Sequence, residues 1–223
     1  VARGEVMALV GDNGAGKSTL MKVLAGAYSA DAGSFFLDGN SVSIKSPNDA
    51  SDLGIQIVYQ DLALCENLDV AANLSLGAEP VKAGWSFLPH FLRPIDNLEM
   101  ESKANKAIQR LQVRTLHSVR AKVSGLSGGQ RQAIAIARAV GTESSVVMLD
   151  EPTAALGVAQ TYQVLQVVKR LRDTNHAVVY ISHNMQDIFD VSDRITVLRH
   201  GQNVATYITC LLYTSPSPRD RSI

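Results

Sequence analysis

The sequence predicts an α/β domain: a mostly parallel core sheet with an inserted α-helical subdomain. Three observations carry that expectation. Residues 6–10, 55–59, 146–149, 177–181 and 195–198 are short apolar runs without alternation, the pattern of strands covered by helices on both faces. Between them lie helical stripes: Leu20, Met21, Val23 and Leu24 follow the first run, and Val164, Val167, Val168 and Leu171 precede the fourth. Strands alternating with helices pair in parallel through right-handed crossovers. From about residue 68 to 140 the long apolar runs vanish and mixed helical stretches such as 99–113 replace them, which marks the inserted subdomain between Gln60 and Pro152.

Composition narrows the function classes. With 223 residues, 46% of them hydrophobic, the chain can bury one large core. Its 21 Lys and Arg balance 21 Asp and Glu, so no general field draws in nucleic acid or anionic lipid. A histone-like role or a polybasic anchor is excluded on that ground. Cys65 and Cys210 stand far apart without metal-ligand spacing, which fits a reducing, cytosolic compartment rather than a disulfide framework or a zinc site. No apolar run nears the roughly 20 residues of a membrane span. Any membrane link is expected to come through a partner.

Directly after the first apolar run, Gly11-Asp12-Asn13-Gly14-Ala15-Gly16-Lys17-Ser18 fits GxxxxGK[ST], and Thr19 leads into the helical stripe. Glycines let the backbone curl so that its N–H groups point inward, and the helix behind adds the positive end of its dipole. Lys17 is expected to reach the β- and γ-phosphates of a nucleotide and Ser18 to ligate Mg²⁺. The competing reading, a glycine-rich turn with an accidental Lys-Ser, has nothing to account for the strand and helix on either side.

The run 146–149 ends in Asp150 and Glu151. Carboxylates avoid burial, and at the C-terminal edge of a parallel sheet they lie where ligands of such folds bind. Asp150 is expected to hold Mg²⁺ through its water shell, and Glu151, on the other side of the strand end, to polarise the water that attacks the γ-phosphate. Taken alone, the pair suits equally a helix start before Pro152 at the first helical position. The phosphate loop favours the ligand reading.

Leu126-Ser127-Gly128-Gly129-Gln130 precedes a helical stretch, 131–140. Here the chain resembles the ATP-binding cassette (ABC) ATPases, whose signature is LSGGQ; a plain Ser cap followed by a glycine turn is the competing reading. The physical logic is a second helix N-terminus able to grip a γ-phosphate. The resemblance implies a head-to-tail homodimer, with ATP held between the phosphate loop of one subunit and Ser127, Gly128, Gly129 and Gln130 of the other, in two sites related by a two-fold axis. It further implies that Gln60, at the end of the run 55–59, contacts Mg²⁺ or the attacking water, and that His183 hydrogen-bonds the γ-phosphate. Alone, Gln60 reads as a solvated strand-end residue and His183 as a structural histidine. Thr153-Ala154-Ala155-Leu156-Gly157 takes the place of the family's D-loop, with Gly157 where an Asp is frequent, a departure that speaks against an Asp-mediated link between the two sites.

GDNGAGKSTL, IVYQDLAL, LSGGQRQAIAIARA, DEPTAALG and ISHNM are similar to the ATPase subunits of bacterial importers for monosaccharides such as ribose, xylose or fructose, over residues 1–207. That likeness implies ATP and Mg²⁺ as cofactors, integral membrane permease subunits and an extracytoplasmic sugar-binding protein as partners, and a place on the cytoplasmic face of the inner membrane. Other readings are a soluble ABC ATPase acting on nucleic acid or the ribosome, or an inactive truncated fragment. Against the first stands the lack of a long coiled coil or charged linker. The family's adenine-stacking aromatic lies upstream of the phosphate loop and is missing here, so ATP binding weaker by about tenfold is expected. Residues 1–5 lead straight into a core strand, and 210–223 resembles a translated sequencing adapter, with Pro216 and Pro218 excluding a helix or central strand. The ATPase domain is therefore expected to be N-terminally truncated and to end at residue 209, with a non-native tail at 210–223.

Overall fold

A computed structural model describes residues 1–82, 84, 89, 92–113, 115–141 and 144–213. Each expected apolar run forms a strand: β1 (Val6–Val10), β4 (Ile55–Val58), β5 (Val146–Asp150), β6 (Ala177–Ile181) and β7 (Arg194–Arg199). They join β8 (Gln202–Ile208) in one sheet of order β4-β5-β6-β1-β7-β8, in which only the last pairing is antiparallel. The remaining strands, β2 (Phe35–Leu37) and β3 (Asn40–Val42), form a separate hairpin.

The apolar-run criterion passes over β2, β3 and β8, because these strands are largely exposed and carry mixed residues. Their turns are nevertheless written locally. Asp38 and Gly39 have φ of 49° and 81°, and His200 and Gly201 have 49° and 75°. Two consecutive positive φ values define the two-residue turn whose twist matches a hairpin.

The parallel strands bury both faces, as their unbroken apolarity requires. Val6, Ala8, Val147, Leu149, Val178 and Tyr180 join the larger core. Leu9, Met148, Val179, Ile181 and Leu198 face the smaller one, which α1 (Lys17–Leu24) covers with Met21. α5 (Gly128–Val140), α6 (Val158–Asp173) and α7 (Met185–Val191) supply the larger core from the opposite side. The stripe of Val164, Val167, Val168 and Leu171 is buried along α6.

The short α2 (Pro47–Asp52) opens with a complete capping box at Ser46. In the inserted segment, α3 (Val70–Ser75) and α4 (Asn97–Arg110) pack on each other and on α5. α5 also packs against β4 and α6, so its hydrophobic surface belongs to both units. Val81 and Ile95 form an antiparallel bridge within the inserted segment; Trp85, Phe87 and Phe91 lie outside the described residues.

The C-terminal expectation needs one correction. Residues 210–213 are helical, within α8 (Thr209–Tyr213). Pro216 and Pro218 lie beyond the described residues, and five residues fit before they intervene. Thr209 is buried, its N–H donates to the Asp193 carbonyl at 3.0 Å, and its hydroxyl shares a 3.1 Å hydrogen bond with Ser192.

The stability of the sheet rests on such buried stripes. Leu171→Ala, at a position with 0% exposure, is expected to lower the unfolding free energy by about 2–5 kcal/mol, read as a shift of the urea midpoint at constant slope.

Candidate functional site

Because β1, β4, β5 and β6 run parallel, the residues that follow them emerge along one edge of the sheet. Register sets their heights: Asp150 pairs with Ile181, and Ile181 with Leu9. The phosphate loop after β1, the carboxylates at the end of β5 and the turn after β6 therefore start at nearly the same level. Gln60 is exposed two residues past β4, which stops at Val58 rather than residue 59.

The glycines of the phosphate loop have separate physical duties. A Cβ on Gly11 would collide with the Leu198 carbonyl oxygen and with the Ala15 side chain, so the loop can start close to β7 only with glycine there. Gly16 occupies the position before α1 with φ of 99°, a left-handed conformation open to few other residues. Its side chain being absent, no cap covers the first N–H groups of α1, and no acidic residue sits in the first turn. Those donors and the dipole behind them form a cradle for an anion. The Lys17 ammonium lies inside the loop, donating to the carbonyls of Gly11 at 2.6 Å and Asp12 at 3.1 Å. Ser18 and Thr19 are exposed beside it, as are Asp12, Asn13 and Gly14, while Ala15 is buried under the loop.

Across β6 lie the acids. Burial holds the Asp150 carboxyl above the usual carboxylate range, and the neighbouring Glu151 pushes it further, against the opposing pull of Lys17 and Lys22. Those two ammonium groups belong to the phosphate loop and α1, so Asp150 is within electrostatic reach of the cradle. Glu151 has φ of 48° and donates its N–H to the Ile181 carbonyl at 2.9 Å. Left-handed backbone at a glutamate costs about 1–3 kcal/mol and survives only where surroundings impose it. The result brings Glu151 Oε2 to 3.1 Å from His183 Nδ1, with the Glu151 side chain 28% exposed and that of His183 75% exposed. The helix-start reading of the acidic pair fails. Pro152 sits in a turn, and α6 begins at Val158 with Gly157 as its cap.

The loop carrying Gln60 is strapped to α5 and α3 by side chains that no motif marks. Arg138 donates to the carbonyls of Ala63 at 3.0 Å and Leu62 at 3.4 Å, and Arg131 pairs with Glu66 at 3.0 Å. Fully buried Asn73 accepts from the Cys65 N–H at 2.8 Å and donates to the Cys65 and Asp69 carbonyls, each at 2.9 Å. Gln60 itself makes no hydrogen bond among the described residues.

Ser127 caps α5 in a full capping box: its hydroxyl accepts the Gln130 N–H at 3.3 Å, and its own N–H donates to Gln130 Oε1 at 2.9 Å. The competing plain-cap reading is thus part of the geometry, yet the Ser127 hydroxyl keeps its proton to donate elsewhere. Gln130 also donates to the Thr115 carbonyl at 2.7 Å, so both ends of its amide are committed within the chain. Gly128 and Gly129 have a packing duty, since a Cβ on either would press on Leu156 or Gln160 at the start of α6. Among the described residues no hydrogen bond joins 127–130 to the phosphate loop.

No group of three or more His, Cys, Asp or Glu suited to a metal occurs among the described residues. A hard divalent cation at this edge would instead draw on Asp150, the Ser18 hydroxyl and the Gln60 amide, all oxygen donors of the kind Mg²⁺ prefers. The raised Asp150 carboxyl, short of a compensating positive charge, fits such an ion.

Residues 1–154 match the ABC transporter family model. The chain is 42% identical to the fructose import ATP-binding protein FrcA of Rhizobium meliloti over 201 residues, covering 90% of this chain and 76% of that one. It is also 42% identical to the ribose import ATP-binding protein RbsA 2 of Escherichia coli O157:H7, covering 91% of this chain but only 38% of that one. Among solved structures, a nucleotide-free ATP-binding cassette from an ABC transporter superposes with a TM-score of 0.80 at 25% identity, covering 97% of this chain and 87% of that one.

A raised carboxyl pKa carries a sign. The folded state favours protonated Asp150, so its charge weakens the fold increasingly as pH climbs through the carboxylate range. Asp150→Asn is therefore expected to raise the melting midpoint of the nucleotide-free protein at neutral pH. The gain should shrink to nothing in acid, which a series of thermal melts across pH will show.

Proposed function

Because the chain belongs to the ABC transporter family, we propose that it is the ATP-hydrolysing subunit of an importer that takes up a monosaccharide. The observation that carries the reading is the convergence, on one sheet edge, of an uncapped helix N-terminus behind a glycine loop and the Glu151–His183 pair at 3.1 Å. Electropositive N–H groups and a poised carboxylate, one strand apart, suit phosphoryl transfer to water.

In this mechanism the phosphates of ATP settle on the N–H groups of residues 11–19. Lys17 exchanges its two loop carbonyls for β- and γ-phosphate oxygens. Ser18, Gln60 and Asp150 hold Mg²⁺, which when bound neutralises charge on those phosphates. Glu151 accepts a proton from water as the water oxygen attacks the γ-phosphorus, and the bond to the β–γ bridging oxygen breaks to leave ADP. His183 is oriented by Glu151 and donates to a γ-phosphate oxygen. Ser127, Gly128 and Gly129 of a second copy close the site from the far side of the nucleotide, with Gln130 holding that loop in shape. Two such sites form about a two-fold axis.

The likeness to fructose and ribose import ATP-binding proteins supports monosaccharide import as the class of work. Sugar selectivity belongs to an integral membrane permease pair and a sugar-binding protein outside the membrane; the ATPase dimer sits on the permease at the cytoplasmic face of the inner membrane. No helix among the described residues is long and apolar enough to cross a membrane.

Glu151→Gln keeps the shape and removes the proton acceptor. Turnover is expected to fall at least about 100-fold, while ATP-dependent dimerisation, followed by size-exclusion chromatography, persists. Wild-type turnover in that variant would take Glu151 out of the mechanism. In vesicles holding a monosaccharide permease, hydrolysis should rise on adding sugar-loaded binding protein; indifference to every monosaccharide would remove the import assignment.

A further inference from the structure

We propose that Thr153 and Asp187 form a half-buried clamp that positions Glu151 against His183. The inference rests on the hydrolytic role assigned to that pair. Glu151 and His183 leave neighbouring strands in different turns, and neither turn by itself dictates their 3.1 Å approach. Glu151 begins a turn with two left-handed residues, itself at φ 48° and Ala155 at 59°. Its internal support is modest: the Ala154 N–H donates to the Glu151 carbonyl at 3.1 Å and the Leu156 N–H to the Thr153 carbonyl at 3.3 Å.

The turn after β6 is better braced. Asn184 donates its N–H to the Ser182 hydroxyl at 3.0 Å, and its side chain accepts the Gln186 N–H at 3.0 Å. Asp187, in the first turn of α7, belongs to this braced unit. Thr153, two residues past Glu151, donates its hydroxyl proton to Asp187 Oδ2 at 2.7 Å. That single bond ties the strained turn to the firm one. Asp187 is only 5% exposed, so water has little access to it.

A third group settles the proton order. The Tyr180 hydroxyl lies 3.4 Å from Thr153 Oγ1. Burial pushes its pKa up to about 12, which keeps its proton in place at any working pH. Since Thr153 gives its own proton to a carboxylate, it can only accept in this longer contact, and the Tyr180 hydroxyl is shared with Ser182. The chain Tyr180 to Thr153 to Asp187 then has one consistent direction, and Thr153 is held from both sides. Thr153 and Asp187 touch no nucleotide in this account; they are positioning residues, acting through Glu151 and His183.

The test compares Thr153→Val, which keeps shape but loses the hydroxyl, with Thr153→Ser, which keeps the hydroxyl. In Thr153→Val, kcat should fall about 10- to 100-fold, the scale of a small misplacement at a reacting centre, with KM for ATP within about twofold. ATP-dependent dimerisation should survive. Thr153→Ser should recover kcat to within about threefold of wild type. Should the valine variant fail to fold, Thr153→Ala takes its place in the same comparison. A wild-type kcat without the hydroxyl overturns the clamp. So does a serine variant as damaged as the valine one, or a KM for ATP that rises in step with the loss of kcat. An inert Glu151→Gln beside a normal Thr153→Val sinks only the clamp, whereas a fully active Glu151→Gln sinks the hydrolytic reading beneath it.

Discussion

A five-residue buried strand, β6, governs the geometry of the whole site. It lies between β1 and β5 in the sheet and hydrogen-bonds both, so the phosphate loop and the carboxylates are held two strand spacings apart, about 10 Å. That gap is wide enough to seat a phosphate chain between the Lys17 loop and Glu151, and it cannot drift without breaking parallel ladders on both sides. Since all five residues of β6 are buried, the spacing is backed by the two hydrophobic cores that the strand separates.

Onto this frame the chain places groups that are individually unfavourable. A helix N-terminus stands without a side-chain cap, a half-buried Asp150 is pushed toward its neutral form, and Glu151 takes left-handed backbone. Each costs stability in the absence of a ligand, and the first is relieved where an anion meets the free N–H groups. Structural strain gathers at the strand ends, where the core on either side is dense enough to sustain it.

The signature loop shows how one short sequence meets two demands. Gly128 and Gly129 lack side chains so that α5 can pack closely on Leu156 and Gln160, while Ser127 beside them caps the helix. Gln130 stiffens the turn through Ser127 and Thr115. Arg131 and Arg138 then carry the position of α5 to the loop bearing Gln60. The signature loop and the loop bearing Gln60 are thereby joined in one polar framework over a common core.

Much of this was legible from residues alone. Unbroken Val and Ile runs announced the five parallel strands, because burial on both faces leaves no polar positions to alternate. GxxxxGK[ST] and LSGGQ announced two helix starts, because the chemistry of a helix terminus is written within a few residues. Asp150-Glu151 could be read two ways, and only the observed turn at Pro152 and cap at Gly157 decided between them. The strand order, the 3.1 Å meeting of Glu151 with His183, and the link from Thr153 across 34 positions to Asp187 had no signature along the chain. Local sequence dictates backbone shape through nearby hydrogen bonds and sterics. Which distant side chains come to share a buried space depends on the crossing of strands and helices over a common core, and that exists only in the folded molecule.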